Sequence, residues 1–124
     1  MKVLIVDDSE IMRERLKATL SEITEPENIS QAEDPLEAMS SFKSLNPEVV
    51  ILDIRMPGGS GIDVLQRIKK GGPSPLVIVL TNYPYPQYRR KCIDAGADFF
   101  FDKSTEFDRV GEVLKQLSQN QFRQ

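Results

Sequence analysis

The sequence predicts an α/β fold built on a parallel sheet, and three observations carry that reading. Short apolar runs with β-branched residues alternate with segments of helical periodicity, the pattern of successive βαβ units. The runs "VVIL" and "LVIVL" are apolar at every position, as strands covered by helices on both faces are. Several runs then stop at a polar residue, Asp7, Asp53 or Thr81, and the carboxyl ends of strands are where such sheets gather their ligand-binding groups.

Each element follows in order. Val3 to Val6 make the first strand. Ser9 is placed to cap the helix after it, with Ile11, Met12, Leu16, Leu20 and Ile23 on the inward face. "NISQA" is a weaker second strand. Asp34 caps the next helix, with Pro35 at its first position, where a missing N–H costs nothing. Val49 to Leu52 make the third strand. The helix "GIDVLQRIKK" turns Ile62, Leu65 and Ile68 to one side and closes at Gly71 and Gly72. "LVIVLT" is the fourth strand, and "YPYPQY" delays a short helix that ends at Gly96. Phe99 to Phe101 make the fifth strand, with Phe99 and Phe101 on one face and Phe100 on the other. The last helix carries Phe107, Val110, Val113, Leu114 and Leu117 as its stripe. Five strands and five helices make a single domain over residues 1–124, with the polar end 118–124 expected to fray.

Composition narrows the function. At 124 residues the chain can bury a real core, and a formal charge of −3 gives no footprint for nucleic acid or for an anionic membrane surface. The chain has no histidine and one cysteine, Cys92, so the usual zinc and histidine-triad constellations are unavailable and an internal disulfide is ruled out. Cys92 reads as a small buried apolar residue. The apolar run in "MKVLIVDD" is too short for a signal peptide or a membrane span, so a cytoplasmic location is expected.

The strand ends hold the chemistry. If strands one, three, four and five are near neighbours, Asp7, Asp8 and Asp53 meet the Thr81 hydroxyl and the Lys103 ammonium in one crevice. Three close carboxylates repel unless a cation joins them, and a hard divalent ion with oxygen ligands, Mg²⁺ first, is the simplest answer.

In "VDD", "LDIRMPGGSG", "LTN", "AGAD" and "FFFDK", taken together and in this order, the chain resembles the receiver domains of two-component response regulators over its whole length. The resemblance implies a doubly wound, flavodoxin-like sheet of strand order 2-1-3-4-5 with helices on both faces, an order for which a receiver is itself a standard example. It implies that Asp53 takes a phosphoryl group from a histidine kinase or a histidine phosphotransfer protein. Asp8 and Asp53 would ligate Mg²⁺, Asp7 through water, with the backbone carbonyl of Arg55 completing the protein ligands. Lys103 would pair with a phosphoryl oxygen. Thr81 and Phe100 would form the switch, Phe100 turning inward once Thr81 meets the modified Asp53, and so reach a downstream protein the sequence does not name. Arg55 and Tyr83 flank the path of water to the phosphoryl group and are expected to slow its loss.

Two features depart from the family pattern. Ser104 follows Lys103 where proline is usual, so a cis bond is not expected there. Asn82 and the tyrosine-proline segment replace a plain helix start, on the side where output is expected. A homodimer through the fourth and last helices is allowed by the resemblance and required by nothing in the sequence. The chain reads as a stand-alone regulator or a fragment of a longer one. Two other classes stay open: a receiver used as a constitutive docking module, and a Mg²⁺-dependent phosphohydrolase of the haloacid dehalogenase type, against which "VDDSE" lacks the D-x-D spacing.

Overall fold

The computed structural model describes residues 1–71 and 74–122. Seven strands and five α-helices are assigned among them: β1 Val3–Val6, α1 Glu10–Leu20, β2 Ile29–Ala32, α2 Pro35–Leu45, β3 Val49–Leu52, β4 Arg55–Met56, β5 Gly59–Ser60, α3 Gly61–Lys70, β6 Leu76–Thr81, α4 Pro86–Asp94, β7 Phe99–Asp102 and α5 Phe107–Phe122. Five strands form one parallel sheet in the order β2-β1-β3-β6-β7. β6 and β7 are the fourth and fifth long strands of the sequence, so this is the expected flavodoxin-like order. The remaining two pair with each other as a small antiparallel hairpin that the apolar pattern did not show. Gly58, at φ 87°, makes its turn.

The sheet is covered on both faces. Leu4, Val6, Val50, Leu52, Val77 and Val79 point toward α2, α3 and α4, while Val3, Ile5, Val49, Ile51, Ile78 and Leu80 point toward α1 and α5. Alternation along each strand sends neighbours to opposite faces, which is why continuous apolar runs were needed. β7 divides its phenylalanines as expected: Phe101 and Phe99 pack with α5, and Phe100 packs with α4 beside Cys92. Cys92 is fully buried, and burial pushes its thiol up to about 11.

Helix ends follow local chemistry. The Met12 N–H donates to Ser9 Oγ at 3.2 Å, and the Glu37 N–H donates to Asp34 Oδ1 at 2.8 Å. Each such cap is worth about 1 kcal/mol. α4 begins at Pro86, after the tyrosine-proline segment, and closes before Gly96 at φ 106°. No cis peptide occurs among the described residues, so the Lys103–Ser104 bond is trans.

One inward assignment was wrong. Ile11 is 77% exposed. It precedes Leu20 by nine residues, about two and a half turns, which puts it on the opposite side of α1. Val64, unassigned from periodicity, is buried with Leu65 and Ile68. α3 is capped at its end by Gly71, and Gly72 lies outside the described residues. α5 continues as far as Phe122, and of the end expected to fray, Arg123 and Gln124 lie outside the described residues.

Candidate functional site

The sheet order decides where polar groups meet. From β1 the chain passes to α1 on one face, and from β3 it passes to α3 on the other, so a crevice opens between the carboxyl ends of these two central strands. The ladder reaches its rim: the Asp53 N–H donates to the Val6 carbonyl at 2.9 Å, the Asp7 N–H to the Ala32 carbonyl at 3.0 Å, and the Lys103 N–H to the Thr81 carbonyl at 2.9 Å. Backbone pairing therefore holds three of the predicted residues in place.

Their side chains converge. Carboxylate oxygens of Asp7, Asp8 and Asp53 lie within 4.8 Å of one another. Lys103 Nζ stands 2.6 Å from Asp7 Oδ2 and 3.0 Å from Asp53 Oδ2. Asp53 is only 6% exposed. Its other oxygen accepts the Ile54 N–H at 2.8 Å. Burial holds the Asp53 carboxyl above its ordinary range, Lys103 pulls against that, and the Asp7 charge pushes the same way as burial. For Lys103, burial works downward, but the hydrogen bond to Asp7 and the charges of Asp53 and Asp7 prevail and lift it.

The three carboxylates are not equivalent. Asp7 is buried and uses both oxygens, one on Lys103 and one on the Ser9 N–H at 2.9 Å. Asp8 is exposed, and no hydrogen bond or ion pair among the described residues holds its side chain. The pairing of Asp7 with Lys103 was not legible in the sequence.

Thr81 and Phe100 end and line the neighbouring strands. The Thr81 hydroxyl is fully buried and accepts the Tyr83 N–H at 3.0 Å. Phe100 is 4% exposed and so already stands inward, where an inward turn had been expected only on modification. The Arg89 guanidinium lies 5.6 Å from its ring centroid. Arg55 is exposed, and its guanidinium lies 4.5 Å from the Tyr83 ring centroid. These two line an open cleft of about 610 Å³ that includes Asp8, Ile54, Met56 and Tyr88. Asp7, Asp8, Asp53 and Lys103 thus form the centre, Thr81 ends the neighbouring strand β6, and Arg55 with Tyr83 lines the cleft that Asp8 shares.

Two residues support this centre in ways not read from the sequence, where Gly61 entered only within the "LDIRMPGGSG" turn and Arg13 not at all. Gly61 opens α3 directly beneath Asp53, where a Cβ would overlap the Asp53 carbonyl oxygen. A glycine at a capped helix start, where better helix formers are available, was the signal for it. Arg13 reaches back from α1 to the Asp7 carbonyl at 2.8 Å. Nothing in periodicity marked it.

Comparison with known proteins identifies the family. A family model described as the response regulator receiver domain matches residues 3–115. The chemotaxis protein CheY of Halobacterium salinarum is 35% identical over 117 residues, which cover 91% of this chain and 96% of that protein. A protein-glutamate methylesterase/protein-glutamine glutaminase of Caulobacter vibrioides is 46% identical over 81 residues, 65% of this chain but 24% of that protein. The chain thus spans about a quarter of the length of such methylesterases. Among solved structures, the N-terminal domain of an uncharacterised protein from Wolinella succinogenes is 34% identical with a TM-score of 0.87, covering 99% of this chain and 98% of that one. The response regulator domain of Thermotoga maritima CheB is 30% identical with a TM-score of 0.77, covering 97% and 94%. Sequence and fold point the same way over nearly the same span, and the chain belongs to the response regulator receiver domain family of two-component phosphorelay systems.

Proposed function

We propose that this receiver domain is a phosphorylation switch that takes a phosphoryl group on Asp53 from a histidine kinase or a histidine phosphotransfer protein. One observation carries the reading: Asp53 ends a central strand with Lys103 Nζ at 3.0 Å and two further carboxylates beside it. In the transfer, an Asp53 oxygen bonds phosphorus as the phosphorus–nitrogen bond to the donor imidazole breaks, and the imidazole leaves with that electron pair. Lys103 already faces Asp53, so its ammonium meets the charge brought by the phosphoryl oxygens.

The donor set suits Mg²⁺. Three carboxylates against one ammonium leave two negative charges, and every donor is a hard oxygen. Asp8 and Asp53 would hold the ion, with Asp7 behind them and the Arg55 carbonyl as a further donor. When bound, it neutralises phosphoryl charge during transfer.

The Thr81 hydroxyl accepts from Tyr83 and keeps its own proton to donate toward a modified Asp53. Phe100, packed on α4 beside Cys92, carries the change toward the α4 face and a downstream protein. The effect is a shift between populations rather than a new fold. Arg55 and Tyr83, stacked beside the crevice, shield the phosphoryl group from water. No helix among the described residues is long and apolar enough to cross a membrane, and we place the switch in the cytoplasm.

The test is brief exposure to a small acyl phosphate with Mg²⁺, followed by intact mass. A single phosphoryl adduct is expected. An unchanged mass would favour a constitutive docking module, and steady phosphate release a hydrolase.

A further inference from the structure

We infer that Arg13 is a positioning residue for the acidic pair, clamping the peptide between Asp7 and Asp8 and thereby setting where the Asp8 carboxylate points. The inference rests on the Mg²⁺ reading of the site given above.

The geometry begins where the sheet stops. Asp7 is the first residue past β1, and its carbonyl accepts from Arg13 Nη1 at 2.8 Å. Arg13 Nε donates at 3.0 Å to the side-chain oxygen of Gln31, on the edge strand β2. Two bonds from one planar guanidinium fix its orientation in a way that a single ammonium donor cannot. The Arg13 backbone N–H donates to the Ser9 carbonyl at 3.0 Å, so the same residue helps form the first turn of α1. One side chain thus joins α1, the end of β1 and β2.

Every polar handle of Asp7 is consequently taken. Its N–H goes to Ala32, its carbonyl to Arg13, one carboxylate oxygen to Ser9 and the other to Lys103. Asp8 has no such anchors among the described residues and is exposed. It shares its peptide plane with the carbonyl that Arg13 holds, so the direction of its side chain is inherited from that clamp. Groups that orient ligands without touching the metal commonly matter by about 10–100-fold in affinity.

Charge alone argues the other way, and this separates the roles. A guanidinium on the Asp7 carbonyl, next to the acidic pair in the chain, repels a second cation, so removing it should tighten Mg²⁺ binding if Arg13 acts only through its charge. Positioning predicts the reverse.

The experiment is titration of the full chain with MgCl₂ at constant ionic strength, by calorimetry and by amide shifts of Asp8 and Ser9, with thermal melts alongside. Wild type, Arg13→Lys, Arg13→Met and Asp8→Asn are compared. Both Arg13 variants should bind Mg²⁺ about tenfold more weakly, Lys included although it keeps the charge. Affinity within twofold of wild type for Arg13→Lys, or tighter binding by Arg13→Met, overturns the inference; a lowered melting temperature with unchanged affinity also does so, because that is a purely structural role. If the Arg13 variants do not fold, Gln31→Ala frees only the far end of the clamp. It should weaken Mg²⁺ measurably, and unchanged affinity there overturns the inference. Asp8→Asn tests the underlying reading: if it binds Mg²⁺ like wild type, or wild type binds none, the metal site itself fails and the inference with it.

Discussion

Gly61 lies against the Asp53 backbone so closely that no side chain fits between them, and its N–H donates to the Ile54 carbonyl at 2.6 Å. The helix α3 is therefore seated directly on the residue assigned to chemistry. A methyl group at Gly61 must push either the helix or the strand end aside. Gly61→Ala should cost about 1–3 kcal/mol, the usual scale of overpacking, and should slow phosphorylation of Asp53. Urea unfolding and acyl phosphate labelling measure the two effects; a variant as stable and as reactive as wild type contradicts the contact.

Asp53→Asn should abolish labelling and stabilise the unmodified protein at neutral pH. Burial raises the Asp53 carboxyl in the folded state. Stability from its protonated form is then fully present below the unfolded value and lost as pH rises through the folded one. Asparagine stays neutral throughout, so its advantage should be seen near pH 7 and shrink in acid. A melting temperature below wild type at neutral pH, with the difference unchanged in acid, would count against this.

Lys103→Met leaves Asp7 and Asp53 buried without their cation, a loss on the order of 3–5 kcal/mol. Added Mg²⁺ should stabilise this variant more than it stabilises wild type, because the ion replaces missing positive charge. In wild type the folded Lys103 is raised, so its contribution holds below the ordinary lysine value and is lost at higher pH as the folded group titrates. Melting curves with and without MgCl₂ decide the point.

Thr81→Ala should still accept phosphate but transmit it poorly. The Tyr83 N–H loses its buried acceptor, at a cost of about 1 kcal/mol or more. Amide resonances of residues 81–85 and 99–101 should shift less on phosphorylation than in wild type. Identical shifts in both proteins would remove Thr81 from the coupling.

Phosphate should be lost slowly from the wild type. Replacing the stacked pair by Arg55→Asn and Tyr83→Glu opens the wall and supplies groups that can orient water, so loss should accelerate on the order of tenfold or more. The measurement is adduct decay under excess Mg²⁺ without kinase. Equal decay rates would show that these side chains do not set the lifetime.

The strands, the caps at Ser9 and Asp34 and the residues of the crevice were legible because each follows from local pattern: alternation, a capping side chain, a polar stop after an apolar run. The strand order came from resemblance. Ile11 misled because an apolar residue next to a stripe cannot be told from one within it until the helix is fixed by neighbours. The tiny hairpin carries no apolar period at all. At the site, residue types could be read but their pairing could not. Which carboxylate takes Lys103, and which carbonyl takes Arg13, depends on distances across elements far apart in the chain.

Cys92 sits on the inner side of α4 against Phe100 and the sheet, with its thiol held protonated at neutral pH. A reagent that attacks thiolates therefore meets almost nothing while α4 stays seated, and reaction must wait for the helix to lift. With no other thiol in the chain, every modified molecule records one such excursion. The speed of labelling is thus a clock for the opening of the α4 face, readable in the native protein without adding any probe.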